Sequence, residues 1–149
     1  VAVDYDAIRD GLPAAIPLVG YLGLEYIELG PGVGVVRLPD DERLRNHVGS
    51  QHAGGLFSVA EAASGAAFVA GFAERLGDIT PLASSAEISY TKLAKGPIDA
   101  RAELDGADDL LAALDADGKV SFPIDVTLSN GDGETVATAT VQWHVRLNS

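Results

Sequence analysis

Between Ala53 and Ala73 the chain is built of small and apolar residues, and Glu61 is the only charge among them. Directly ahead stand Asn46, His47, Gln51, His52 and the Gly54-Gly55 pair. A carboxylate set among Val59, Ala60, Ala62 and Ala63 loses hydration, and burial disfavours its charged form. Its pKa is therefore expected to rise toward the range in which a carboxyl works as general acid or base near neutrality. The plain alternative is a carboxylate that turns to solvent or pairs with a basic side chain. Gly54 and Gly55 open the apolar segment, where the first amides of a helix are unpaired and lie at the positive end of its dipole. Such amides can hold a carbonyl oxygen gaining negative charge, and glycines let a substrate approach the backbone closely.

The other polar candidates carry weaker signals. His52 has the chemistry of a base or a hydrogen-bond donor, although a His before a helix is more often a local hydrogen-bonding group. His144 alternates with Trp143 on a strand-like segment and reads as structural. Ser58 and Ser64 lack the GxSxG context of a nucleophile elbow. A metal reading of His47, His52 and Glu61 needs ligands five and nine residues apart with loop between two of them, so no metal site is expected.

The elements that must position these residues follow from periodicity. Asp4–Leu18 reads as a helix interrupted near Pro13 and Pro17, and Leu24–Leu29 as a strand. The glycines from Gly30 to Gly34 mark a turn into Val35–Leu38, which together suggest a hairpin. A polar loop, 39–51, then leads into a long helix from about Gly54 to Leu76. Ala86–Thr91, Ile98–Leu104, Val120–Leu128 and Thr135–Leu147 alternate with period two and are rich in β-branched and aromatic residues. Asp108–Leu114 looks like a short helix capped by an Asp, and the Asp115–Gly118 stretch like a turn rather than a calcium loop. Ser129 to Gly133 is a hairpin signal. The whole predicts one α+β domain over residues 1–149, with an antiparallel sheet and one apolar helix for it to cover.

Composition narrows the function. With 149 residues the chain can bury a real core, and its apolar fraction of 47% is that of a globular protein. It has no cysteine, which removes thiolate metal sites and cysteine nucleophiles and fits a reducing, cytoplasmic setting. A net charge of −12 argues against nucleic-acid binding, because no basic patch is available to displace counterions. No signal peptide is recognised at the start of the sequence. The 53–73 segment is long enough to span a bilayer, but its four glycines and central Glu favour the buried core helix of a soluble domain over a membrane partner.

Asn46, Gly49, His52, Gly54 and Glu61 resemble the N-x-x-G-x-x-H-G-G-x(6)-[D/E] pattern of hot-dog fold acyl-CoA thioesterases of the phenylacetyl-CoA and 4-hydroxybenzoyl-CoA type. The element order resembles theirs over nearly the whole chain. The run HAGGLFSVAEAASG is similar to a subgroup of hot-dog domains with no settled activity. One position departs from the pattern: Ala53 stands where the first glycine after His is usual. The resemblance implies a sheet of about five to six strands wrapped around one long central helix. It implies hydrolysis of an acyl- or aroyl-CoA to free acid and CoA, with no cofactor beyond the CoA thioester as substrate.

By the same resemblance Glu61 is the catalytic carboxylate, as base on water or as nucleophile, and the Ala53 amide polarises the thioester carbonyl. Asn46 orients water or carbonyl, His52 supports the loop or the substrate, and Ser64 positions water. Gly54 and Gly55 let the substrate approach. Lys92 and Lys95 are candidates for the CoA phosphates, with Arg43 and Arg45 as second choices. A hydratase on the same fold is disfavoured because His52 is followed by Ala-Gly-Gly rather than Phe-Pro. A non-catalytic acyl-CoA or lipid-binding module remains the alternative.

A distance argument stands beside the resemblance. Ala53 and Glu61 are eight residues apart, so on one helix they are separated by roughly 12 Å. They can act on one thioester carbon only if they come from different subunits, which predicts a homodimer with two interfacial sites; whether two such dimers pair into a homotetramer stays open.

Overall fold

The computed structural model describes residues 2–149. The elements run α1 (Tyr5–Ala15), α2 (Pro17–Leu22), β1 (Glu25–Gly30), β2 (Val33–Leu38), α3 (Ala53–Gly71), β3 (Ile79–Tyr90), β4 (Ile98–Glu103), α4 (Ala107–Asp117), β5 (Lys119–Ser129) and β6 (Thr135–Leu147). Six strands form one sheet in the order β1-β2-β4-β5-β6-β3, antiparallel at every pairing. The sheet wraps α3, which buries ten of its nineteen residues. This is the hot-dog fold that the sequence motif implies.

Close packing of helix on sheet depends on small residues. Ala63, Ala66 and Ala67 of α3 meet β2 at Gly34, where an added Cβ would lie 2.6 Å from Ala66 Cβ and 2.7 Å from the Ala67 nitrogen. Gly34 is thus a buried strand residue rather than the last of the turn glycines, and its missing side chain lets backbone meet backbone. At the far side of α3, Phe68 stacks on Phe72 (4.6 Å) and Trp143 (5.3 Å), and Phe122 stacks on Phe72 (5.7 Å).

Several boundaries differ from those expected. Pro13 sits inside α1 without ending it; the break comes at Ile16, and Pro17 occupies the first turn of α2, where its missing N–H costs nothing. α3 stops at Gly71 rather than Leu76, because Phe72 is pulled into the aromatic stack while Arg75 turns out to bond Asp115 at 2.8 Å. β3 begins seven residues early, at Ile79, since pairing with β6 from Ile79↔Leu147 to Tyr90↔Ala137 carries a segment of weak intrinsic preference. α4 has Gly106 rather than an Asp at its N-cap, and Asp108 and Asp109 instead occupy its first turn, where the helix dipole favours them.

β3 lies at one edge of the sheet, and most of it is exposed on both faces. Pro81 and a register shift at Ser84, whose hydroxyl bonds the Gln142 carbonyl at 3.2 Å, interrupt an otherwise straight ladder.

Candidate functional site

Glu61 lies on the one face of α3 that the sheet leaves uncovered, the stripe of Gly54, Ser58, Glu61, Gly65 and Val69 at helical spacing. It opens into a cavity of about 200 Å³ whose other walls are Leu12 and Ile16 above, Tyr26 beside it, and Gly65, Phe68 and Trp143 below. Among the described residues no basic side chain lines that cavity. Burial alone pushes the Glu61 carboxyl above its ordinary range, as the sequence suggested. The neighbouring Tyr26 phenol is pushed up to about 12, first by burial and then by the Glu61 charge.

The second half of the expected constellation is elsewhere. A cavity of about 350 Å³ at the start of α3 is lined by Asn46, Gln51, Ala53, Tyr90, Lys92 and Leu93, among others. His52 is the N-cap of α3, and its Nδ1 accepts from the Gly54 amide at 2.8 Å. That leaves the Ala53 and Gly55 amides as the open donors of the first turn among the described residues. Ala53 is the first helical residue, and no described non-glycine residue has a positive φ, so alanine presents this N–H without strain. Its departure from the family pattern therefore leaves the donor in place.

Asn46 is committed in part: its Oδ1 accepts from the Val48 and Ser50 amides at 3.0 Å each, which shapes the loop. Its Nδ2 makes no hydrogen bond among the described residues, and the residue lines the cavity. Lys92 lines the same cavity and is ion-paired with Glu134, whereas Lys95 is exposed. Arg43 and Arg45 pair within their own loop, with Asp41 at 2.8 Å and Asp40 at 3.0 Å. His144 bonds Ser121 at 2.8 Å on the outer face of the sheet, in the structural role expected of it.

Ser64 does not position water. It is 0% exposed, donates to the Glu61 carbonyl at 2.7 Å and accepts from Trp143 Nε1 at 3.2 Å. Its hydroxyl is spent on joining α3 to β6.

Four residues that line the two cavities were given no role in the sequence reading. Tyr26 looked like an ordinary strand residue, and Trp143 like core. Tyr90 donates its hydroxyl to the Ala53 carbonyl at 3.1 Å and so ties the end of β3 to the start of α3. Gln51 is 3% exposed; its Nε2 bonds the carbonyls of Pro39 and Gly96, and its Oε1 is buried without a partner among the described residues. Gln51 stands inside the motif beside His52, and its place in that polar cluster was the available signal; for the others only the fold reveals the proximity.

The arrangement is a desolvated carboxylate at the end of an apolar cavity, and open helix amides in a second cavity two turns away. Residues 6–145 match the family model DUF4442, a domain of unknown function, and the chain belongs to that family. Among solved structures it is similar to a Pseudomonas aeruginosa protein of unknown function described as a probable thioesterase, with 27% identity over 99% of both chains and a TM-score of 0.89. It also resembles the E. coli PaaI protein from the phenylacetic acid degradation operon, at 21% identity over 94% of this chain and 91% of that one (TM-score 0.73). A thioesterase family protein from Silicibacter pomeroyi shares 22% identity over 97% and 100% (TM-score 0.76). No curated protein matches significantly. The first neighbour supports a thioesterase-family role, and the latter two agree in fold.

Proposed function

We propose that the protein is an acyl-CoA thioesterase whose site forms between two copies of the chain. One observation carries this reading: Glu61 is half-buried in an apolar cavity, yet the open amides of its own helix lie eight residues, roughly 12 Å, behind it. Antiparallel approach of a second α3 brings the Ala53 amide of one copy opposite Glu61 of the other. The thioester carbonyl then accepts a hydrogen bond from Ala53 N–H while Glu61 takes a proton from water. Hydroxide adds to the carbonyl carbon, the oxyanion is held by the helix amides, and collapse breaks the C–S bond. The departing thiolate recovers the proton from Glu61, giving acid and free CoA. Direct attack by the Glu61 carboxylate, through an anhydride that water then opens, satisfies the same geometry.

The remaining polar groups suit the CoA arm. The Asn46 amide offers a donor to the pantetheine, and Lys92 and Lys95 offer charge for the phosphates. The exposed, unpaired edge of β3 is the surface on which two copies would join their sheets.

Subunit complementation tests the reading. Ala53→Pro deletes the amide at the first helical position, where proline is at home, and His52 (φ −67°, ψ 142°) already has the conformation a following proline requires. Glu61→Gln deletes the carboxylate. Each variant alone should lose hydrolysis of a panel of short, medium, long and aromatic acyl-CoAs. Unfolding and refolding the two together should restore activity, because each hybrid has one intact site. Hybrids as inactive as their parents would refute a shared site. Equal slow release by wild type and Glu61→Gln would favour a non-catalytic acyl-CoA binding module instead.

A further inference from the structure

The cavity beside Glu61 has a direction. Its α3 wall runs from Glu61 through Ala62, Gly65 and Ala66 to Val69, eight residues toward the C-terminus and away from the helix amides. That wall is roughly 12 Å long. The reacting carbonyl belongs at the Glu61 end, so whatever group is attached to the carbonyl on the side away from sulfur points down this wall. Leu76 and Pro81 line the cavity too, and Glu61 is its single charged residue, so nothing in it favours the polar CoA arm.

One part of that wall is closed. A Cβ on Gly65 would lie 3.7 Å from Trp143 Cζ2 and 3.9 Å from Cη2, which is ordinary contact distance, so no unbonded carbon passes between the helix backbone and the indole. A chain entering at Glu61 runs along this surface toward Val69. The volume of about 200 Å³ somewhat exceeds the ~150 Å³ apolar cavity that accommodates a benzene molecule.

Building on the thioesterase reading above, we propose that this cavity is the acyl subsite and selects acyl chains of medium length, about six to nine carbons by its ~12 Å wall, with Val69 at the far end and Leu12 in the roof as the residues that set the limit. Longer chains would have to lift α1, whose Leu12 forms part of the roof.

Trp143 supplies the readout, since it is the chain's only tryptophan and lines the cavity. Octanoyl-CoA is titrated into Glu61→Gln, which holds the ligand without turnover, while indole emission is followed; CoA alone and acetyl-CoA are the controls. Saturable change with octanoyl-CoA, absent for both controls, is expected. Val69→Phe fills the far end, and Leu12→Phe lowers the roof independently. Either should lower the ratio of octanoyl- to butanoyl-CoA turnover by about tenfold or more.

The outcomes separate the two readings. If no acyl-CoA is hydrolysed but octanoyl-CoA still shifts emission and Val69→Phe abolishes the shift, the hydrolase reading falls and the acyl subsite stands. If hydrolysis occurs with a flat dependence on chain length that neither variant alters, the subsite is overturned while the hydrolase reading survives. An emission response to CoA alone equal to that of octanoyl-CoA also overturns it.

Discussion

Ser64→Ala separates a structural hydroxyl from a catalytic one. The substitution removes one oxygen from a site with no solvent access, so no water replaces it. The helix loses its bond from Ser64 to the Glu61 carbonyl at 2.7 Å, but that carbonyl keeps its place in the helical ladder. The more serious loss falls on Trp143, whose Nε1–H then has no acceptor while its ring remains 8% exposed. An unsatisfied buried donor costs about 1–3 kcal/mol. For a chain of this size that lowers the melting temperature by roughly 3–10 °C. The measurement is urea unfolding followed by far-UV circular dichroism, in a double-mutant cycle with Trp143→Phe. Trp143→Phe removes the donor, so Ser64→Ala should cost about 1 kcal/mol less in that background than in wild type. Activity per folded molecule of Ser64→Ala should stay within a few-fold of wild type. Unchanged stability with turnover reduced a hundredfold would refute the reasoning and return Ser64 to the role of water-positioning group.

Three further outcomes are expected. Because the folded state raises the Glu61 pKa, the stability linked to its protonation is full below the ordinary carboxylate range and is lost as pH rises through the raised value. Glu61→Gln should therefore be more stable than wild type in denaturant at pH 8, with the advantage vanishing toward pH 4, while turnover at pH 8 falls by about a hundredfold or more. Gly34→Ala forces a Cβ to within 2.6 Å of Ala66 Cβ, and should cost about 1–3 kcal/mol in thermal or urea unfolding. Each copy of the chain carries a formal charge of −12, so association measured by analytical ultracentrifugation should tighten as salt is raised from about 0.01 to 0.15 M, where the screening length falls from about 30 to 8 Å.

Much of the architecture was written in local pattern. β6 was bounded at Thr135–Leu147 as the structure has it, because long alternation of β-branched residues has no competing reading. Glu61 stood out for the same reason, as one charge in an apolar helix. What failed to show in sequence depended on partners far along the chain. The start of β3 is fixed by β6 rather than by its own residues, and the end of α3 by a stack that Phe122 and Trp143 complete. The motif fixed which residues gather near the helix start, but not what each does. His52 and Asn46 spend acceptor atoms on the backbone, and Ser64 faces an indole 79 residues away. Tyr26 shares a cavity with Glu61 only because the β1–β2 hairpin folds against α3.

Gly34 and Gly65 face opposite flanks of α3, and together they make the molecule yield in one direction only. On the flank toward β2, backbone rests on backbone and there is nothing left to compress. On the other flank the helix borders open space roofed by α1, an element with no fully buried residue among those described. Anything that swells the interior must therefore displace the roof and not the floor. Amide exchange should show α1 loosening or tightening with occupancy while β2 stays still, so that the N-terminal helix acts as the gauge by which the fold registers what it holds.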